Sequence, residues 1–170
     1  MDLHSTLIAI QDDSFALTYS ELERWSNNLA YEVHSRLKIN RGSGTVAICM
    51  PRSVLLVVST LAVVKAGFSY LPLDPCTPPA RLDDQLLQSD ARLLLSLPES
   101  QLPPLGRAIP FNIVPFIDRT CVRDQTELPS LRPETANGIL AVLFTSGSTG
   151  RPKGVLILHV SQLSGPSNSE

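Results

Sequence analysis

The sequence has little charge, few aromatic residues and no cluster of basic side chains. Of its 170 residues 18% are charged and 5% are aromatic, and the net charge is −2. A nucleic-acid-binding surface needs Lys and Arg gathered on one face. We therefore expect no nucleic-acid partner. The 43% of hydrophobic residues is close to the share that an ordinary folded domain needs for its core.

Long apolar runs are also missing. The longest covers residues 54–64 and is broken by Ser59 and Thr60, whereas a membrane-spanning helix needs roughly 18 apolar residues or more. Near the N-terminus, Asp2 stands where a signal peptide would have Lys or Arg, and the apolar run at 7–10 is too short. The sequence predicts a soluble, cytoplasmic protein without a membrane partner.

Cysteine is scarce, at Cys49, Cys76 and Cys121. The number is odd, the spacings are wide and no CxxC pair occurs, which argues against a disulfide framework and against a zinc site. We predict no metal ligands. Cys49 lies within an apolar run and is predicted to be a small core residue.

The pattern of apolar residues predicts alternating helices and strands. A helix over 19–37 begins with Thr18 and Glu21 in capping-box spacing. Its apolar residues recur every three or four positions. Further helices are predicted over 54–66, capped by Ser53, and over 79–89, capped by Thr77.

Strands are predicted over 45–50, 68–71, 91–97, 138–145 and 155–158, with one more over 111–117 that Pro115 interrupts. Of the 14 prolines, 11 lie between Pro72 and Pro133, so the stretch from 98 to 133 is expected to be mostly irregular. Strands that alternate with helices predict an α/β fold, with a mostly parallel sheet and flanking helices.

The loop at 145–154 has the composition of a phosphate site. Its glycines let the backbone approach an anion, its Ser and Thr hydroxyls can donate hydrogen bonds, and Lys153 adds a positive charge. It is not a Walker A sequence, because Gly154 stands where that motif has Ser or Thr. The same residue types also build polar surface turns, so composition alone leaves both interpretations open.

Residues 143–155 resemble the signature of the adenylate-forming (AMP-binding) superfamily. Residues 17–22 resemble the first core motif of amino-acid adenylation domains, and residues 61–82 resemble the second. The second motif favours the nonribosomal peptide synthetase branch. The three segments occur in the family's order, and the resemblance covers about residues 14–159.

The resemblance implies a function and a set of site residues. Such enzymes use ATP with Mg²⁺ to convert a carboxylate, here an amino acid, into an acyl-adenylate and pyrophosphate. Their loop holds the β- and γ-phosphates. The matching residues, all expected to bind ATP, are Thr145, Ser146, Gly147, Ser148, Thr149, Gly150 and Lys153. Tyr70 and Asp74 are expected to be packing and turn residues, and His159 stands where the family often has a histidine.

The resemblance also implies that the domain is incomplete. No segment for adenine, ribose or substrate follows His159, nor does the family's catalytic lysine, which is not Lys153. We expect residues 1–159 to form a truncated part of the large N-terminal subdomain and residues 160–170 to be a disordered tail. The chain alone is expected to be inactive, with no residue assigned a catalytic role.

Two other interpretations stay open. The chain could be a non-catalytic interaction or phosphate-binding module that docks onto a larger synthetase or carrier domain. It could also be an unrelated α/β nucleotide-binding protein. The sequence does not identify the carboxylic or amino acid.

Overall fold

The computed structural model describes residues 6–37, 44–98, 108–117, 138–145 and 152–159. Within these ranges lie eight strands and four helices. The strands are β1 (Ile8–Gln11), β2 (Ala16–Thr18), β3 (Thr45–Cys49), β4 (Ser69–Leu73), β5 (Ala91–Ser96), β6 (Ile109–Asn112), β7 (Ile139–Thr145) and β8 (Lys153–Leu158). The helices are α1 (Tyr19–Leu37), α2 (Val54–Lys65), α3 (Pro79–Gln88) and α4 (Val114–Ile117).

Six of the strands form one sheet in the order β6-β5-β3-β4-β7-β8. All neighbours are parallel except β7 and β8, which form an antiparallel pair at one edge. The predicted α/β fold with a mostly parallel sheet and flanking helices is thus confirmed.

The helices cover both faces of this sheet because the crossovers that follow β3 and β4 run in opposite directions across it. From β3 the chain passes through α2 to β4 on one side, and then through α3 to β5 on the other. Right-handed crossovers then place α2 and α3 on opposite faces. Val46 and Ile48 accordingly belong to the core with α1 and α2, whereas Ala47 and Cys49 belong to the core with α3.

Helices α1 and α2 begin where the sequence predicts. Glu21 Oε2 accepts hydrogen bonds from the backbone N–H of Thr18 at 2.9 Å and from its hydroxyl at 2.8 Å, and the N–H of Glu21 donates to Thr18 Oγ1 at 3.3 Å. Ser53 Oγ accepts from the N–H of Leu56 at 3.3 Å. Gly67, just after α2, has a φ of 85°, which glycine adopts without the steric cost that other residues meet.

Two local predictions are wrong. Thr77 does not cap α3: Pro78 occupies the N-cap position with extended backbone and Pro79 begins the helix, while the N–H of Thr77 donates to the carbonyl of Asp74 in the preceding turn. The strand predicted over 111–117 is also wrong. The strand ends at Asn112, and a short helix follows in which Pro115 fits the first turn.

A hairpin that the sequence pattern did not predict precedes α1. Strands β1 and β2 pair in antiparallel fashion, and the turn between them is held by Asp12. Asp12 Oδ1 accepts from the N–H groups of Ser14 and Phe15, both at 2.8 Å. Its Oδ2 accepts from the N–H of Val54 at 2.6 Å, which ties the hairpin to the first turn of α2.

The predicted tail at 160–170 lies outside the described residues. Among the described residues, no helix is both long and apolar enough to cross a membrane.

Candidate functional site

The site lies where β4 and β7 end, at the carboxyl edge of the parallel sheet. Loops at this edge of open α/β sheets are where ligands bind as a rule. Thr145 is the last residue of β7 and Lys153 is the first residue of β8, and the two are opposite each other in the ladder. The two strands thus bring both ends of the predicted phosphate loop together.

Both of these side chains are exposed. Thr145 Oγ1 lies 3.5 Å from the carbonyl oxygen of Lys153, which is the long limit of a hydrogen bond, so the hydroxyl remains accessible to a ligand. The ammonium group of Lys153 makes no ion pair with another described residue. A hydroxyl donor and a cation therefore stand at the mouth of the loop.

The remaining predicted site residues lie outside the described residues. These are Ser146, Gly147, Ser148, Thr149 and Gly150. The structure thus describes the two ends of the loop, and the part played by these five residues stays a prediction.

The base of the loop is closely packed. Gly154 faces Phe144 across the β7–β8 pair, and a Cβ atom on Gly154 would lie 3.4 Å from Cε1 of the Phe144 ring. Phe144 also packs against the core that includes α3. The aromatic ring thus connects the loop to the body of the domain.

A cleft of about 420 Å³ opens next to Phe144, between α3 and the end of β4. Pro72 lines the cleft near the end of β4, beyond the pairing of Tyr70 with Ala141 that joins β4 to β7. Polar and charged side chains from the loop after β4 and from α3 also line the cleft, namely Asp74, Thr77, Arg81 and Gln85.

Asp74 has two structural roles in this region. Its Oδ1 accepts from the N–H of Cys76 at 2.9 Å, as predicted for a turn residue, and its charge reaches Cys49 at the end of β3. Burial raises the pKa of the Cys49 thiol to about 11, and the negative charge of Asp74 acts in the same direction. Cys49 is therefore a neutral core thiol at physiological pH, as the sequence predicts, and not a nucleophile.

Tyr70 and His159 have structural surroundings. Tyr70 is partly buried and packs against the core on the α1 side, as expected for a packing residue. The backbone N–H of His159 donates to the carbonyl of Gly138 at 3.1 Å, just beyond the β7–β8 ladder. Among the described residues, no group of three or more His, Cys, Asp or Glu is placed to hold a metal ion.

Sequence reasoning did not single out Arg81 and Gln85 as part of this region. Their spacing could have indicated this, because residues four apart lie on one face of a helix. Helix α3 also begins shortly after the end of β4. The sequence alone does not show that Phe144 lines the same cleft, because Phe144 is brought there by the tertiary fold.

Comparison with known proteins agrees with this fold. The model of the family described as AMP-binding enzyme matches residues 3–167, and the chain belongs to this family. Within it, the relatives and solved structures place the chain with the adenylation domains of nonribosomal peptide synthetases, where it corresponds to the N-terminal part of the domain.

Two curated relatives illustrate the match. Malpinin synthetase of Mortierella alpina is 38% identical over 156 residues, which are 91% of this chain and 2% of that protein. Cyclosporin synthetase simA of Tolypocladium inflatum is 38% identical over 168 residues, which are 96% of this chain and 1% of that protein. The chain therefore spans a small fraction of the length of these relatives.

Solved structures show the same relationship. The N-terminal subdomain of Klebsiella oxytoca NpsA, in complex with 3-hydroxybenzoyl-AMSN, is 30% identical with a TM-score of 0.74, and the match covers 89% of this chain and 37% of that one. VinN in complex with 3-methylaspartate has a TM-score of 0.76 at 22% identity, covering 91% of this chain and 44% of that one. The second similarity shows the fold alone.

Proposed function

We propose that this chain supplies the phosphate-binding part of an amino-acid adenylation domain. The reaction is ATP plus a carboxylate, giving an acyl-adenylate and pyrophosphate, and Mg²⁺ would neutralise part of the charge of the phosphates. The observation that carries the proposal is the position of Thr145 and Lys153, opposite each other at the carboxyl edge of the sheet. Family membership supports it independently.

The described residues fit a polyphosphate. The Thr145 hydroxyl can donate to a phosphate oxygen, and Lys153 can supply up to three N–H donors with a positive charge. A hydrogen bond to a charged group contributes roughly 1.5–3 kcal/mol. Five further residues complete the proposed site, with backbone N–H groups and hydroxyls that can surround the same phosphates: Ser146, Gly147, Ser148, Thr149 and Gly150.

These residues can bind phosphate groups even if the chain does not catalyse the reaction. The chain covers 37% of the NpsA subdomain structure, so we expect the 170 residues alone not to catalyse amino-acid-dependent ATP–pyrophosphate exchange. Binding is therefore the property to measure. Titration of the chain with magnesium pyrophosphate, followed by calorimetry, should give a saturable signal that Lys153→Ala weakens by about tenfold or more. Equal affinities in the two proteins would contradict the proposal.

A second candidate function is that of a non-catalytic interaction module. The edge strand β8 favours it, because Val155, Leu156 and Leu158 are each 44–57% exposed. Exposed apolar side chains on an edge strand are typical of surfaces that pair with another polypeptide. Sedimentation of the purified chain tests this candidate: a monomer at high micromolar concentration that binds pyrophosphate would favour the first function.

A further inference from the structure

The register of β8 on β7 determines whether Thr145 and Lys153 can serve one ligand. Successive side chains of a strand point to opposite faces of the sheet, and residues directly opposite each other share a face. Thr145 and Lys153 are opposite each other, so their side chains lie on the same face. A slip of one residue would carry Lys153 to the other face.

Burial does little to fix this register. Strand β8 is at the edge of the sheet, and its neighbouring side chains Val155 and Leu156, which point to opposite faces, are both exposed. Within β8, Ile157 is the one half-buried residue. A slip would therefore exchange one exposed apolar side chain for another. Pro152 is buried, but it lies outside the pairing, which begins at Lys153.

An aromatic contact holds β8 to the core at the end nearest the loop. The ring of Phe144 lies against Gly154, its partner in the ladder. A Cβ atom on Gly154 would be 3.4 Å from Cε1 and 3.5 Å from Cζ of this ring, and Phe144 packs against the core that includes α3. At the far end of the pair the register shifts between Ile139 and Ala141, so the regular part of the ladder is the part beside Phe144.

Glycine at 154 leaves room for this ring. A glycine within a strand has no side chain to pack and often marks a close approach, and an aromatic side chain from the neighbouring strand can compensate for it. Phe144 immediately precedes Thr145, so its ring is on the face opposite the Thr145 hydroxyl. The ring therefore acts on the loop through the backbone and not by contact with a ligand.

We infer that Phe144 is a positioning residue, whose ring against Gly154 fixes the register of β8 and keeps Thr145 and Lys153 on one face. For phosphate binding this role rests on the proposed function, whereas the register itself does not depend on it. The register and the binding are therefore measured separately.

Cysteine trapping measures the register without a ligand. Leu143→Cys with Val155→Cys places two thiols opposite each other in the ladder, close enough for a disulfide under mild oxidation. The other thiols are replaced by serine, except that of the buried Cys49. Adding Phe144→Leu should lower the yield several-fold, and the slipped pair, Leu143→Cys with Leu156→Cys, should gain. Unchanged yields for both pairs would overturn the role of Phe144.

The second measurement is a calorimetric titration of the 170-residue chain with magnesium pyrophosphate. Phe144→Leu keeps an apolar side chain without the planar ring and should weaken binding roughly fivefold or more. Phe144→Tyr keeps the ring and should stay within about twofold of the original chain. When Lys153→Ala is already present, Phe144→Leu should cause a smaller loss, because the ring acts by placing Lys153.

Position 154 separates ring packing from strand propensity. Gly154→Ala adds a Cβ atom 3.4 Å from the ring, which is an ordinary contact, and should leave the affinity within about twofold. Gly154→Val introduces a residue that strands favour, yet its methyl groups would displace the ring and should weaken binding as Phe144→Leu does. Equal or tighter binding by Gly154→Val would contradict the role of the ring.

A matched control and the possible outcomes complete the design. Phe111→Leu makes the same change in a buried ring on β6, at the opposite edge of the sheet, and should lower the melting temperature without changing the affinity. If no pyrophosphate binds, or if Lys153→Ala does not weaken binding, the proposed function fails, and cysteine trapping still tests Phe144. If Lys153→Ala weakens binding and Phe144→Leu does not, the function stands and the role of Phe144 is wrong. If Phe144→Leu does not fold, the comparison of Gly154→Ala with Gly154→Val is decisive.

Discussion

Thr145 and Lys153 stand opposite each other across the β7–β8 pair, with the Thr145 hydroxyl 3.5 Å from the Lys153 carbonyl oxygen. The hydroxyl is therefore weakly engaged within the chain and can donate to a ligand. Thr145→Val keeps a β-branched strand residue and removes the hydroxyl. We expect pyrophosphate affinity to fall roughly three- to tenfold with an unchanged melting temperature, measured by calorimetry and thermal denaturation. Unchanged affinity would exclude the hydroxyl from the site.

The hydrogen bonds between Thr18 and Glu21 at the start of α1 should contribute to the free energy of unfolding. Thr18→Ala removes the side-chain oxygen that accepts from the N–H of Glu21, so the free energy of unfolding should fall by about 1 kcal/mol. Ser20→Ala is a matched control, since Ser20 is exposed in the same first turn. Urea denaturation measures both variants. Equal losses for the two would show that the cap does not contribute.

The contact of Asp12 with the start of α2 makes stability depend on pH. Hydrogen bonds from the N–H groups of Val54, Ser14 and Phe15 hold the pKa of Asp12 below its ordinary value of 3.8. Because the pKa of Asp12 is lower in the folded chain than in the unfolded chain, the ionised carboxylate stabilises the folded chain above pH 3.8. This stabilisation is lost as the pH falls through the lowered pKa.

Asp12→Ala should therefore lower the melting temperature at pH 7, and the difference from the original chain should shrink below pH 3.8. Melting curves from neutral pH down to about pH 2.5 provide the measurement. Asp13→Ala is the control, because Asp13 is an exposed neighbour. A difference that stays constant over this pH range would rule out the ionised carboxylate as the cause.

Cys49 and Cys76 should differ in reactivity. Burial raises the pKa of Cys49 to about 11, whereas Cys76 is exposed. Since the thiolate is the reactive form, iodoacetamide at about pH 8 should label Cys76 and leave Cys49 unmodified until the chain unfolds, as peptide mass spectrometry would show. The raised pKa stabilises the folded chain below pH 9, and this stabilisation is lost as the pH rises from 9 towards 11.

Much of the fold could be predicted from the sequence because its determinants are local. Helix α1 follows from a capping box and a regular apolar pattern, and both lie within the helix itself or next to it. The alternation of strands and helices likewise indicated the parallel sheet. Thr145 and Lys153 could be assigned to one predicted loop because the motif that carries them is continuous in sequence, but β8 begins at Lys153 and not at the predicted residue 155. Their role in binding phosphate stays a prediction.

The errors arose where contacts are distant or where one residue fits two structures. Strands β1 and β2 are short, and Asp12 is fixed in part by Val54, 42 residues away. Pro115 both interrupts a strand and suits the first turn of a helix, and the chain forms the helix. Arg81 and Gln85 share a cleft with Phe144 only because the tertiary fold places β7 beside α3.

Phosphate binding at the loop is best tested by titrating magnesium pyrophosphate into the purified chain and into Lys153→Ala, with Arg92→Ala as the charge-matched control. Lys153 is exposed, so its replacement should leave the melting temperature unchanged. We expect saturable binding that Lys153→Ala weakens by about tenfold or more and that Arg92→Ala does not alter. Saturable binding with the same affinity in all three proteins would contradict this expectation.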